Sequence, residues 1–212
     1  MSLDTLNQDV KSQIDDLLVK TRLSSLDIAK SDTEKKDSLL KNIAELISES
    51  RSMILSHNKK DLDSLDPNNF TDAFFDRLKL NDERIDQMIN NILEVIDLED
   101  PVRHSRFLYE RPNGLKVYKQ SIPLGVISII YESRPNVTSD AASLCLKSGN
   151  SVLLRGGSEC FNTNKILVDI IKKALSENNI DENSVNLVPF TDRDVMKYIL
   201  RKDEEIDLII PR

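Results

Sequence analysis

A chain of 212 residues, 39% hydrophobic and 31% charged, is long enough to bury a core without disulfide or metal staples. Its formal charge is −7, its two cysteines and two histidines are too few for a disulfide framework or a zinc site, and no apolar run approaches the ~18 residues of a membrane span. The acid excess lies entirely in residues 1–106, with 15 Lys and Arg against 22 Asp and Glu, and without a basic stripe nucleic acid is excluded as the expected partner.

The opening residues, MSLDTLNQDV, show neither a basic nor an apolar leader pattern, so the expected location is intracellular, in the cytoplasm. Leu6, Val10, Ile14, Leu17 and Leu18 share one helical face. Ser31-x-x-Glu34 is a capping box that starts a second helix, continuing through Leu39, Leu40, Ile43, Leu46, Ile47 and Ile54 and fraying near His57-Asn58. Asp66-Pro67-Asn68-Asn69 predicts a loop, and a further helix spans about Asn81 to Ile96.

Beyond Asp100-Pro101 the period changes. Phe107 to Glu110 and Leu115 to Gln120 alternate as strands around the turn Arg111-Pro112-Asn113-Gly114, which predicts a long β-hairpin. From Pro123 strands and helices alternate, with strands at Val126 to Tyr131, Ser151 to Leu154, Val185 to Val188 and Ile206 to Ile210. Helices fill the intervals at Val137 to Lys147, Asn162 to Leu175 and Asp192 to Leu200. The expected fold is α/β: N-terminal helices, a protruding β-hairpin and a Rossmann-like open parallel sheet. Its parts are residues 1–106, the N-terminal helical part; 107–121, the hairpin; and 122–212, the βαβ region.

Ligands of such sheets bind beyond the carboxyl ends of the strands. Four of the five glycines (Gly125, Gly149, Gly156, Gly157) lie between Ile122 and Gly157, where they mark special backbone geometry. Arg155-Gly156-Gly157-Ser158-Glu159 follows a strand and precedes a helix, so it reads either as a phosphate or ribose contact or as a tight turn with a solvated arginine. The GxGxxG fingerprint is absent. In Tyr131-Glu132-Ser133-Arg134-Pro135-Asn136 the Asn136 amide is either a donor to a developing oxyanion or a helix N-cap. Cys145, between Leu144 and Leu146, reads as core; Cys160, at a helix start, reads as a surface or partly packed thiol. His57 and His104 are expected to face solvent, and neither forms a nucleophile-base pair with a cysteine.

The segments PLGVISIIYESRPNV, DAASLCLKSGNSVLLRGGSE, RPNGL, DRLKLNDERI and IDLIIPR resemble motifs of the γ-glutamyl phosphate reductase family, also called glutamate-5-semialdehyde dehydrogenase, a proline-biosynthesis branch of the aldehyde dehydrogenase superfamily. The resemblance runs from about residue 5 to residue 212 and implies the N-terminal half of a protein about twice as long, truncated before the catalytic domain, with the nucleophilic cysteine absent from this chain. It implies NADPH-dependent reduction of γ-glutamyl phosphate to glutamate 5-semialdehyde and phosphate, through a cysteine thioacyl intermediate. By position, Arg155, Gly156, Gly157 and Ser158 would lie along the adenosine ribose and 2′-phosphate of NADP(H), with the Ile130-Tyr131 backbone beside the cofactor. Ser133, Arg134 and Asn136 would face the reacting carbonyl or the substrate's anionic groups. The resemblance further implies a homo-oligomer assembled through the hairpin; a catalytically inactive cofactor-binding or assembly module is the alternative for a chain that lacks the nucleophile.

Overall fold

The structure is a computed structural model that describes residues 6–212. Among the described residues five α-helices precede the first strand. Helix α1 (Gln8–Ile28) is capped by Asn7, whose side chain accepts from the Asp9 N–H at 3.0 Å, and it buries Ile14 and Leu18 on the face that the spacing predicts. Helix α2 (Thr33–Glu49) is capped by Asp32, which accepts from the Lys35 N–H at 2.8 Å, so Ser31 of the expected capping box lies one residue outside. The second helix is in fact two, because the chain bends at Ser50 and α3 (Arg51–Asp63) follows. His57 therefore sits half-buried within a helix, its Nδ1 2.9 Å from the Met53 carbonyl oxygen, and not beyond a frayed end. Helix α4 (Asp72–Leu78) is too short to leave a periodic signal; α5 (Asp82–Asp97) starts after Asn81, as expected.

The hairpin is formed by β1 (Ser105–Glu110) and β2 (Lys116–Gln120), antiparallel, with a register shift between Phe107 and Tyr109. Gly114 supplies the positive φ of the turn, at 83°. Phe107, Tyr109 and Tyr118 remain 50%, 47% and 54% exposed, so the hairpin stands away from the body.

Four parallel strands, β3 (Val126–Ile130), β4 (Ser151–Arg155), β5 (Val185–Leu187) and β6 (Leu208–Pro211), form a sheet of order β5-β4-β3-β6. The linking helices are α6 (Asn136–Lys147), α7 (Phe161–Glu177) and α8 (Arg193–Ile199). Successive strand residues point to opposite faces, and both faces are covered. Ile127, Ile129, Val152 and Leu154 join a core with α2, α3, α5, α6 and α7. Val126 and Leu153 face α1 and α8, against Ile14, Leu18, Val195 and Ile199. Each such aliphatic side chain contributes about 1.5–3 kcal/mol by leaving water, which is why the strand runs are almost continuously apolar. Among the described residues no helix is long and apolar enough to cross a membrane.

Candidate functional site

The strand order places a topological switch point at β3. The chain moves outward from β3 to β4 to β5, then returns to lay β6 on the other side of β3. Loops at such a point diverge and leave a crevice beyond the strand ends. Here it is a cleft of about 250 Å³ lined by Tyr131, Glu132, Arg134, Val137 and Arg212.

Pairing of β3 with β4 brings the loops after these strands together. The Tyr131 N–H donates to the Arg155 carbonyl oxygen at 2.9 Å, and the Arg212 N–H donates to the Ile130 carbonyl oxygen at 2.8 Å. Ser133, only 7% exposed, spends its hydroxyl on Glu159 Oε2 at 2.7 Å, a latch between the two loops. Burial raises the Glu159 carboxyl pKa, but hydrogen bonds from Ser133, its own backbone N–H and Ser158, with the charge of nearby Arg155, outweigh it and hold the group below the usual range. Below the latch runs a buried polar chain. Tyr131 Oη lies 2.7 Å from Thr138 Oγ1, which donates to Asn164 Oδ1 at 2.9 Å, and Asn164 Nδ2 reaches Cys160 Sγ at 3.1 Å. Burial drives the Tyr131 phenol upward, so it stays a neutral hydrogen-bonding group.

The glycine pair has a packing reason. A Cβ on Gly156 would overlap Asn164 Nδ2 and meet the Tyr131 ring at 3.0 Å; one on Gly157 would overlap Ser133 Oγ and crowd Glu159. Neither glycine has positive φ, so close approach of the protein's own side chains, not an unusual turn, demands them. Arg155 is half-buried, with Nη2 donating to the Thr191 carbonyl oxygen at 2.8 Å and a buried Nε that has no partner. An orphaned guanidinium donor at a strand end, with the exposed Ser158 hydroxyl nearby in the chain, fits a phosphate or hydroxyl ligand such as the ribose end of a dinucleotide.

Asn136 does not cap α6. Pro135 already has helical angles (φ −57°, ψ −35°) and holds the cap position, so Asn136 lies inside the first turn and its amide donates to Asp140 Oδ2 at 3.2 Å. Burial raises the Asp140 carboxyl above its ordinary pKa against hydrogen bonds from Asn91 and Asn136. Arg134 and Asn136 line a second cleft together with residues of the α4-α5 region, and Arg155 is not part of that lining.

Both thiols are buried. Cys145 lies in the core, where burial pushes its pKa to about 12. Cys160 is fully buried, which corrects the expectation of a surface or partly packed thiol; burial first, then the charges of Asp61 and Glu159, push it to about 12 against the Asn164 hydrogen bond. No group of three or more His, Cys, Asp or Glu among the described residues could hold a metal. Glu159, Thr138, Asn164, Asp140 and Thr191 are the contacts that motif reading missed; only Asp140 and Glu159 had a signal, as the two ends of the segment DAASLCLKSGNSVLLRGGSE.

This combination of helical N-terminal portion, open parallel sheet and protruding hairpin is an aldehyde-dehydrogenase-like fold. A NAD-dependent benzaldehyde dehydrogenase from Corynebacterium glutamicum superposes with a TM-score of 0.72 at 16% identity, over 95% of this chain and 40% of its own. A nearer likeness is to γ-glutamyl phosphate reductases. The protein of that name from Desulfatibacillum aliphaticivorans is 45% identical over 197 residues, 93% of this chain and 47% of that protein. The crystal structure of the Thermotoga maritima γ-glutamyl phosphate reductase matches with a TM-score of 0.90 at 40% identity, over 93% of this chain and 48% of that one. These similarities bear out the resemblance read from the motifs, and the chain spans about half the length of the relatives it matches. No family model matches the chain.

Proposed function

We propose that the protein carrying this chain is an oxidoreductase that reduces γ-glutamyl phosphate to glutamate 5-semialdehyde and phosphate with NADPH, in the cytoplasm, as a step of proline biosynthesis. Residues 1–212 form its cofactor-side half. The observation that carries this reading is the similarity to γ-glutamyl phosphate reductases along nearly the whole chain. When bound, the nicotinamide supplies the hydride. Arg155 and Ser158 then take the ribose and its 2′-phosphate, with the Ile130-Tyr131 backbone alongside. Gly156 and Gly157 let the loop lie flat on Tyr131 and Ser133, while Ser133 acts through its latch to Glu159. Arg134 and Asn136 face the substrate. Residues 107–121 form an arm between copies of a homo-oligomer, flanked by the helical portion 1–106 and the sheet region 122–212.

The test is an assay of NADPH oxidation matched by phosphate release on γ-glutamyl phosphate generated in place. Oxidation without stoichiometric phosphate would sink the proposal.

A second reading has its own support in the buried thiols. Acyl-phosphate reduction through a thioester needs an accessible thiolate, and neither Cys145 nor Cys160 offers one. The 212-residue chain by itself then serves as a cofactor-binding or assembly module. Turnover by the isolated chain in the same assay would defeat that reading.

A further inference from the structure

The second cleft has a volume of about 360 Å³ and lies between the α4-α5 region and the loop after β3. Four cations line it (Arg77, Lys79, Arg84 and Arg134) with a single carboxylate, Asp76. Arg84 and Asp76 neutralise each other at 2.9 Å, and Arg84 also donates to the Lys79 carbonyl oxygen at 2.6 Å. The remaining three are unmatched: among the described residues no ion pair joins Arg77, Lys79 or Arg134 to a carboxylate, and only the Arg77 Nε is engaged, by the Ala73 carbonyl oxygen at 3.2 Å. All three are exposed, so water screens their mutual repulsion, but their convergence on one concave surface raises the positive potential that an anion meets there. Three of the four cations come from residues 1–106, where acids outnumber bases 22 to 15.

Beside the cations lies an ordered ladder of amides. Gln87 Nε2 donates to Asn91 Oδ1 at 2.7 Å, and Asn91 and Asn136 each donate to one oxygen of Asp140 at 3.2 Å. Each amide spends one N–H on the ladder and keeps a second donor, and all three side chains line the cleft.

We propose that this cleft binds an anionic oxygen group of the substrate, a carboxylate or a phosphate, with Arg77, Lys79 and Arg134 as its counter-charges and Asn91 and Asn136 as neutral donors. The proposal rests on the reading above in that γ-glutamyl phosphate carries both groups. Arg134 also lines the crevice at the switch point, so a group held here lies next to the cofactor-side loops.

The test uses the isotopically labelled 212-residue chain, titrated separately with L-glutamate, inorganic phosphate and NADP⁺ at fixed ionic strength and followed by amide NMR shifts. Saturable shifts of the Gln87, Asn91 and Asn136 side-chain amides with glutamate or phosphate are expected. Replacing both Arg77 and Lys79 with Ala should weaken them at least tenfold, with Arg77→Lys retaining most of the affinity. A response to glutamate alone identifies the carboxylate end, and a response to phosphate alone the phosphoryl end. Absence of cleft shifts with both ligands, or equal affinity in the double variant, overturns the proposal. Shifts at Gly156 to Ser158 with NADP⁺ report the cofactor reading independently, so either reading can fail while the other stands.

Discussion

Asp61 shows how much a single side chain can do for this site. It is 2% exposed on α3, and its carboxylate accepts from the Asn162 N–H and Nδ2 at 3.1 and 2.8 Å and from the Thr163 N–H and Oγ1 at 2.8 and 2.5 Å. Helix α7 has Cys160 at its cap position, which makes no side-chain cap hydrogen bond, so a residue about a hundred positions earlier satisfies its first N–H groups and places a negative charge at the positive end of the dipole. Asp61→Ala leaves these donors unpaired and should cost about 2–4 kcal/mol, read as a lower urea midpoint with unchanged slope. Asp61→Asn should recover part of that loss. At Arg155 the expected change is in binding rather than stability. In a full-length enzyme, Arg155→Ala should weaken NADPH at least tenfold while leaving NADH within about threefold, since a bidentate guanidinium-phosphate contact is worth roughly a tenfold step or more. Equal weakening of both would remove the 2′-phosphate role. The position of Arg155 at the end of β4 was legible in the sequence because a buried apolar strand must end where polar residues resume; its anchor on Thr191 was not, since that contact depends on how the loop after β5 returns.

Among the elements, helices and strands with strong periodic patterns followed from the sequence to within two residues, as α5 and β4 do. The failures have local causes. Ser50 interrupts an apolar stripe whose spacing stays helical, so two helices read as one, and α4 has only seven residues in which to show a period. Asn136 is a strong N-cap former by type, but Pro135 tolerates helical angles before it and takes that position. The hairpin exposes Phe107, Leu108, Tyr109, Leu115 and Tyr118 on an element with few contacts to the body, an arrangement suited to burial against another copy. Deleting residues 105–120 and joining Arg103-His104 to Ser121 should reduce the mass measured by light scattering to that of a smaller assembly. An unchanged mass would exclude the arm as the assembly element. The join is sterically reasonable, because the Ser121 N–H already donates to the His104 carbonyl oxygen at 3.1 Å.

Over the whole molecule, the two core layers on opposite faces of one sheet make the buried thiols part of global stability. Cys145 and Cys160 both have folded pKa values raised from 9.0 to about 12. A raised pKa means the folded state favours the neutral thiol, so this contribution is complete below pH about 9, where the unfolded thiol is also neutral. It is lost as pH rises from there toward about 12, while the unfolded chain ionises and the folded one resists. The urea midpoint should therefore fall above pH 9, and replacing both cysteines with Ala should flatten that fall; an identical alkaline slope in the double variant would show that other groups cause it. Native protein at pH 8 should also react with iodoacetamide far more slowly than unfolded protein. By itself the sequence determined the class of fold, the strand ends at which polar residues gather, and the likeness to γ-glutamyl phosphate reductases, because periodicity, turn chemistry and motifs are local along the chain. Only the tertiary structure decided that β6 returns beside β3 to open a crevice, that the glycine pair exists to clear Tyr131, Asn164 and Ser133, and that DRLKL faces Arg134 across a basic cleft. Those features arise from contacts between different elements, most of them dozens of residues apart, set by strand order and helix packing, and no local pattern encodes which side chain of another element will fill a given space.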